Sequence, residues 1–384
     1  MPIGVDIQQR ELGRHRGEGP GPMLIAVAGI HGNEPAGIEA ARRVLARLAK
    51  GDLKFRGDFV AFAGNLRSLR RGVRYHDRDL NRAWTEDRVA ALSQKPESAW
   101  DTEDREQSEL LQAIRAAGSQ ARGQVYLGDF HSTSAAGIPF ILFGDTLRQL
   151  HFARGFPLPA ILGLEEQLDG VLTEFWTHQG FVTFALEAGQ HASPASVEAG
   201  EAVLWLALAH AGLLLGTPPE VPRSAARLNE LRQGLPRLVE VISRRSIAPE
   251  DAFVMEPGFR NIDHARKGQL LARDKSGEIR APDDGMVVLP LYQGLGGDGY
   301  FWGREASALW LFASQALRLA GATRLARLLP GVTRDPKGGL VADASSPVPM
   351  AFLRLLGYRR VRKVGEKLTI ERCEPRQRGN FGPS

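Results

Sequence analysis

Three short stretches of this 384-residue sequence bring together side chains that can bind a metal. "GIHGNE" sets His31 and Glu34 three residues apart, between glycines and directly after the apolar run "MLIAVA". "QVYLGDFHSTS" runs into Asp129 and His131, and "FVTFALEAGQH" runs into Glu187. Two imidazoles and one carboxylate around an open fourth position form a common catalytic zinc set, with water in the open position. His31, Glu34 and His131 supply that set, one Zn2+ per chain. Asp129, two residues before His131 on the same strand, points to the same face and can accept the spare ring N–H of a ligand histidine. Glu187 is then free to act as the base that deprotonates the water.

A fourth stretch, "NLRSLRRGVRYHDRDLNRAW" (65–84), is crowded with arginines. Its bland reading is an exposed basic loop; its functional reading is a site for an anion and a carbonyl, because an arginine fork binds carboxylate bidentately and an Asn beside it adds a directional donor. His76-x-x-Asp79 is a rival metal pair, disfavoured by its place inside that segment. No Gly-x-Ser-x-Gly elbow occurs, so serine hydrolysis has little support.

These residues need elements to position them. Strands are expected at 23–29, 58–64, 124–130, 139–144 and 181–189, as nearly continuous apolar runs of the kind covered on both faces. Helical patterns alternate with them, from Pro35, over 105–118 and from Ser193. The alternation predicts an α/β fold with a mostly parallel sheet, and such sheets bind ligands beyond the carboxyl ends of their strands. All three metal-type stretches sit at such ends. The expected organisation is a catalytic α/β domain at 1–216, a Pro-rich linker at 217–235, a β domain at 236–306 covering the site, and a mixed, largely helical extension at 307–384 whose tail frays from Pro375.

Composition narrows the function classes. At 43% hydrophobic and 24% charged, the chain has an ordinary soluble composition. Its longest apolar run, Ala202–Gly216, contains His210 and is shorter than the ~20 residues that span a bilayer, so no membrane association is expected. Met1–Gly21 has no apolar core of a secretory leader, and the lone Cys373 forms no internal disulfide, which together point to the cytoplasm. The net charge of +5 is mild. The basic stretch Tyr358–Lys367 reads as a solvated face, and nucleic acid is not an expected partner. The oligomeric state, including a homo-oligomer, stays open.

In order and spacing, "GIHGNE", "RYHDRDLNR", "DFHSTS" and "ALEAGQ" resemble the succinylglutamate desuccinylase/aspartoacylase family across residues 23–215. The resemblance implies a zinc-carboxypeptidase-like sheet flanked by helices, with a smaller C-terminal β domain over the site. It assigns His31, Glu34 and His131 as zinc ligands and Glu187 as general base. It gives Arg74 the scissile carbonyl, Asn81 and Arg82 the substrate α-carboxylate, and a tyrosine of the C-terminal domain, Tyr300 or else Tyr292, the completion of the pocket. The implied activity is amide hydrolysis of an N-acyl amino acid. A carboxypeptidase acting on small peptides carrying a free carboxylate is the alternative, and a non-catalytic ligand-binding member the next. The chain departs from aspartoacylase in "TEFWTHQGFVTF" (173–184), which has no arginine for a substrate side-chain carboxylate and offers Phe175, Trp176 and His178 instead. That favours a less acidic or more apolar amino acid. His191 either enters the pocket or, as the favoured reading, is a surface residue starting the next helix.

Overall fold

A computed structural model of the chain describes residues 7–373 except 192, 233, 294–295, 336–338 and 346–347; the tail from Pro375 lies outside the described residues. Fourteen strands precede residue 306: β1 Glu11–Arg16, β2 Met23–Ala28, β3 Asp58–Ala63, β4 Val125–Thr133, β5 Phe140–Phe143, β6 Ala160–Leu162, β7 Val182–Gln190, β8 Leu238–Ser246, β9 Val254–Met255, β10 Asp263–Ala265, β11 Leu270–Asp274, β12 Gly277–Arg280, β13 Gly285–Val288 and β14 Asp298–Glu305. Eleven of them form one sheet in the order β1-β3-β2-β4-β7-β5-β6-β8-β14-β13-β10, and β12-β11-β9 form a small one.

Pairing is parallel for β3-β2-β4-β7 and for β5-β6-β8. It is antiparallel between β5 and β7, and throughout β8-β14-β13-β10. The fold is thus mixed α/β, with a large sheet that is mostly parallel in its first part and antiparallel toward the C-terminus.

The continuous apolar runs follow from burial on both faces. In β2, Leu24, Ala26 and Ala28 join one core cluster, while Met23, Ile25 and Val27 join the other. The first cluster lies under the helices Ala36–Leu48 and Pro194–His210, which supply Ile38, Val44, Val203 and Leu206. At about 25 cal/mol per Å² of apolar surface removed from water, these two clusters are the main stabilising force on the strands that carry the site.

Two further stretches complete the chain. Residues 217–235 hold the helix Glu220–Arg232, whose Leu228 is buried in the same cluster as Val203. Between 308 and 373 the chain forms two helices, Ala308–Leu319 and Met350–Leu355, and also a four-stranded antiparallel sheet. Its strands are β15 Val332–Arg334, β16 Leu340–Asp343, β17 Tyr358–Val364 and β18 Lys367–Arg372.

The basic stretch is solvated over residues 361–367 but buried at its start. Arg359 and Arg360 are 5% and 7% exposed. Arg359 pairs with Asp145 at 2.6 Å and Glu240 at 2.5 Å, and Arg318 joins it on Asp145 at 2.6 Å. Arg360 pairs with Glu174 and donates to the carbonyls of Glu165 (3.1 Å) and Leu168 (2.8 Å). No helix of the described residues is long and apolar enough to cross a membrane.

Candidate metal centre and active site

β2 ends at Ala28, and the chain turns sharply to bring His31 back over the sheet. Gly29 makes that turn with φ of 70°, a left-handed conformation that favours glycine. Gly32 lets the loop close on the next one: a Cβ there would lie 2.1 Å from the backbone of Ser68. The following helix then carries Glu34 just ahead of its first turn.

β4 lies beside β2, so His131 arrives on the same edge, and the parallel neighbour β7 sets Glu187 directly across from it. His31, Glu34, His131, Asp129 and Glu187 are all buried. They form one wall of a cavity of about 710 Å³ that Arg74, Asp79, Asn81, Arg82 and His191 also line.

Glu34 is the hub. Its Oε1 lies 3.0 Å from His31 Nδ1, and its Oε2 lies 3.1 Å from His131 Nδ1 and accepts from Ser132 N at 3.0 Å. The far nitrogens meet other carboxylates: His31 Nε2 pairs with Asp79 at 3.0 Å and His131 Nε2 with Asp129 at 2.9 Å. Arg74 completes the cluster, with Nη1 3.3 Å from Glu34 and Nη2 3.0 Å from His31 Nε2 and 3.3 Å from Asp79.

Burial opposes ionisation of Glu34 and Asp79, but the histidines, and for Asp79 also Arg74, hold both carboxyls well below their usual range. Burial likewise opposes the charge on His131, yet Asp129 and Glu34 raise it well above the ordinary imidazole value. For Glu187 burial wins: its carboxyl is pushed up to about 8, and Oε2 has no hydrogen-bond partner among the described residues.

The donor set fits a divalent cation. One ligand atom from each of His31, Glu34 and His131 lies within 4.8 Å of the others. With both imidazoles neutral and their Nε2 hydrogens on Asp79 and Asp129, the two Nδ1 lone pairs and the Glu34 oxygens would face one point, a donor set that a bound cation satisfies. Two imidazoles and a carboxylate suit zinc.

Other expected site residues fall in different places. Asn81 is at the cavity, but its amide is engaged at both ends: Oδ1 accepts from Leu172 N at 2.9 Å and Nδ2 sits 3.3 Å from His131 Nε2. Arg82 faces the cavity and pairs with Asp298 at 2.9 Å. Tyr300 does not line it. A register shift in β14 between Asp298 and Tyr300 places Asp298 and Phe301 on the cavity side. Tyr300 packs instead against Met255, Leu271 and Trp302. Tyr292 is also outside the cavity; it accepts from Phe259 N and donates to the Glu256 carbonyl, tying two loops together. Phe175 and Trp176 sit in the core cluster beneath the sheet, so Val171 and Thr173 form that wall of the cavity.

Several site residues were not expected. Asp79 serves His31 as Asp129 serves His131, rather than forming a pair with His76. His191, half-buried, lines the cavity, its Nδ1 2.8 Å from Ser132 Oγ. Glu103, fully buried, accepts from the backbone N–H of His76 (2.9 Å) and Asp77 (2.8 Å), fixing the loop between Arg74 and Asp79. Arg244 and Asp298 enter from β8 and β14. The only sequence cue among these was the Asp-x-Asn-Arg spacing at 79–82; the rest depend on contacts between distant segments.

Such a sheet, with two histidines and a glutamate converging at its carboxyl edge beside a walled cavity, defines an α/β protein with a candidate metal-binding site. The catalytic-domain model of the Succinylglutamate desuccinylase/Aspartoacylase family matches residues 20–204 of this chain. A succinylglutamate desuccinylase of Pseudomonas fluorescens (strain SBW25) is 29% identical over 267 residues, covering 66% of this chain and 73% of that protein. Among solved structures, a succinylglutamate desuccinylase/aspartoacylase from Rhodobacter sphaeroides superposes with a TM-score of 0.57 at 18% identity, over 80% of this chain and 100% of that one. A succinylglutamate desuccinylase from Vibrio cholerae gives 0.55 at 16% identity, over 78% and 92%. At these identities the structures speak for the shared fold.

Proposed function

We propose that the protein is a zinc-dependent amidohydrolase that cleaves the amide bond of an N-acyl amino acid, releasing a carboxylic acid and the amino acid. The observation that carries this reading is the buried convergence of His31, Glu34 and His131 at a cavity that Glu187 and Arg74 also line. His31, Glu34 and His131 would hold the metal, which when bound supplies a Lewis acid and a water of lowered pKa. Asp79 and Asp129 orient the two imidazoles. Glu187 takes a proton at its carboxylate and passes it to the departing amine. Arg74 donates to the scissile carbonyl oxygen as negative charge grows there. Arg82 holds the substrate carboxylate, and Asn81, bound to both Leu172 N and His131, fixes the loop that presents it.

Metal content and hydrolysis of a panel of N-acyl amino acids, measured on wild type and Glu187→Ala, test the reading. About one zinc per chain is expected in both proteins, with kcat lowered on the order of 10³-fold in the variant. Absence of bound metal from the wild type sinks it.

A further inference from the structure

Beyond Glu187 the cavity floor turns to hydrocarbon. Ala185 stands two residues before Glu187 on β7, and its cross-strand partner on β5 is Leu142. Leu164 and Leu168 come from the turn after β6, Val171 from the residue before the helix Leu172–His178, and Phe301 from β14. All six line the cavity and belong to one buried apolar cluster.

The charges beside this slot are few. Arg82 and Arg244 both pair with Asp298, so two guanidiniums share one carboxylate and one positive charge is left over. Arg244 also donates to the Gln167 carbonyl at 3.1 Å, which places that charge next to Leu168. One surplus charge suits one substrate carboxylate, the α-carboxylate. Among the described residues that line the slot, a second would find no cation. The polar groups there are Glu165 and Thr173, bonded to each other at 2.6 Å. Burial and the neighbouring Glu166 push the Glu165 carboxyl up to about 8, although Arg360, whose guanidinium is engaged with Glu174, stands behind it.

We infer that the amino acid released has an apolar side chain, seated in the slot of Leu142, Leu164, Leu168, Val171, Ala185 and Phe301, with its α-carboxylate at Arg82 and Arg244. This rests on the deacylase reading above. A dicarboxylic substrate would bury its second carboxylate among hydrocarbon and beside an acid, which a site of this kind rejects.

The test uses the zinc-loaded, full-length protein. kcat/KM is measured for N-acetylleucine and N-acetylmethionine against N-acetylaspartate and N-acetylglutamate, and free leucine and aspartate are titrated by calorimetry. A preference for the apolar substrates on the order of 100-fold is expected, with leucine bound more tightly than aspartate. Val171→Arg, its fold checked by circular dichroism, is expected to move the ratio toward aspartate by about tenfold or more, by supplying the missing cation. Faster turnover of the acidic substrates by wild type overturns the inference and leaves the deacylase reading standing. If no amide is hydrolysed, that reading fails, and calorimetry still decides the slot: tighter binding of aspartate, or no binding of either amino acid, overturns it.

Discussion

Two regions of this molecule bury charge, and they balance it differently. At the cavity, Glu34, Asp79 and Asp129 surround one guanidinium, that of Arg74, and two histidines, while Glu187, like Glu165, is held largely neutral at neutral pH. Where the C-terminal segment docks, Asp145, Glu166, Glu174 and Glu240 face Arg304, Arg318, Arg359 and Arg360, while Glu165 is held neutral at neutral pH. The second set is matched carboxylate for guanidinium. The first is short of positive charge, and burial makes that shortfall expensive. A buried cluster that satisfies itself serves the fold; one that stays acidic after its own arginine is counted is built to receive a cation.

The contrast can be broken first at its balanced side. Arg359→Ala leaves Asp145 and Glu240 buried with less compensation, and a loss of roughly 3–5 kcal/mol in urea-unfolding free energy is expected. An unchanged midpoint would show that this network carries no stability. Next comes Glu165. Its folded pKa, up to about 8, lies above the ordinary carboxyl value of 4.5. The proton it holds therefore contributes stability that is complete below about pH 4.5 and is lost as pH rises to about 8, by a few kcal/mol. Glu165→Gln should flatten that slope when unfolding is compared at pH 5 and pH 8.

On the unbalanced side, Asp79→Asn removes the carboxylate that orients His31. Zinc affinity should fall by about 10–100-fold with the fold intact, as read by competition with a chelator. The smallest effect belongs to an exposed pair, Arg362 with Asp169, whose side chains are 44% and 63% exposed. Arg362→Ala should cost less than about 1 kcal/mol, and a larger loss would show that the docking network extends to the surface.

Much of the catalytic half was legible because local pattern and function coincide there. β2, β4 and β7 announce themselves as apolar runs, and each delivers its polar residues at its carboxyl end, where a parallel sheet binds ligands. What stayed hidden depends on distance along the chain. Asp79 meets His31 across 48 residues, and Asp298 meets Arg82 across 216; no spacing rule reaches that far. Tyr300 was offered by the resemblance and not by any strand pattern, and the register shift in β14 sets Phe301 rather than Tyr300 on the cavity side. β17 was missed as a docking strand because Arg359 and Arg360 fill its buried positions, so the hydrophobic pattern had nothing to show.

The Arg360 contacts carry one more consequence, for the order in which the molecule is made. His31, Glu34 and His131 leave the ribosome early. The carbonyls of Glu165 and Leu168, in the wall where the substrate side chain would rest, are tied down by a residue synthesised 195 positions after the first and 192 after the second. A nascent chain thus holds His31, Glu34 and His131 long before Arg360 is available to fasten that wall.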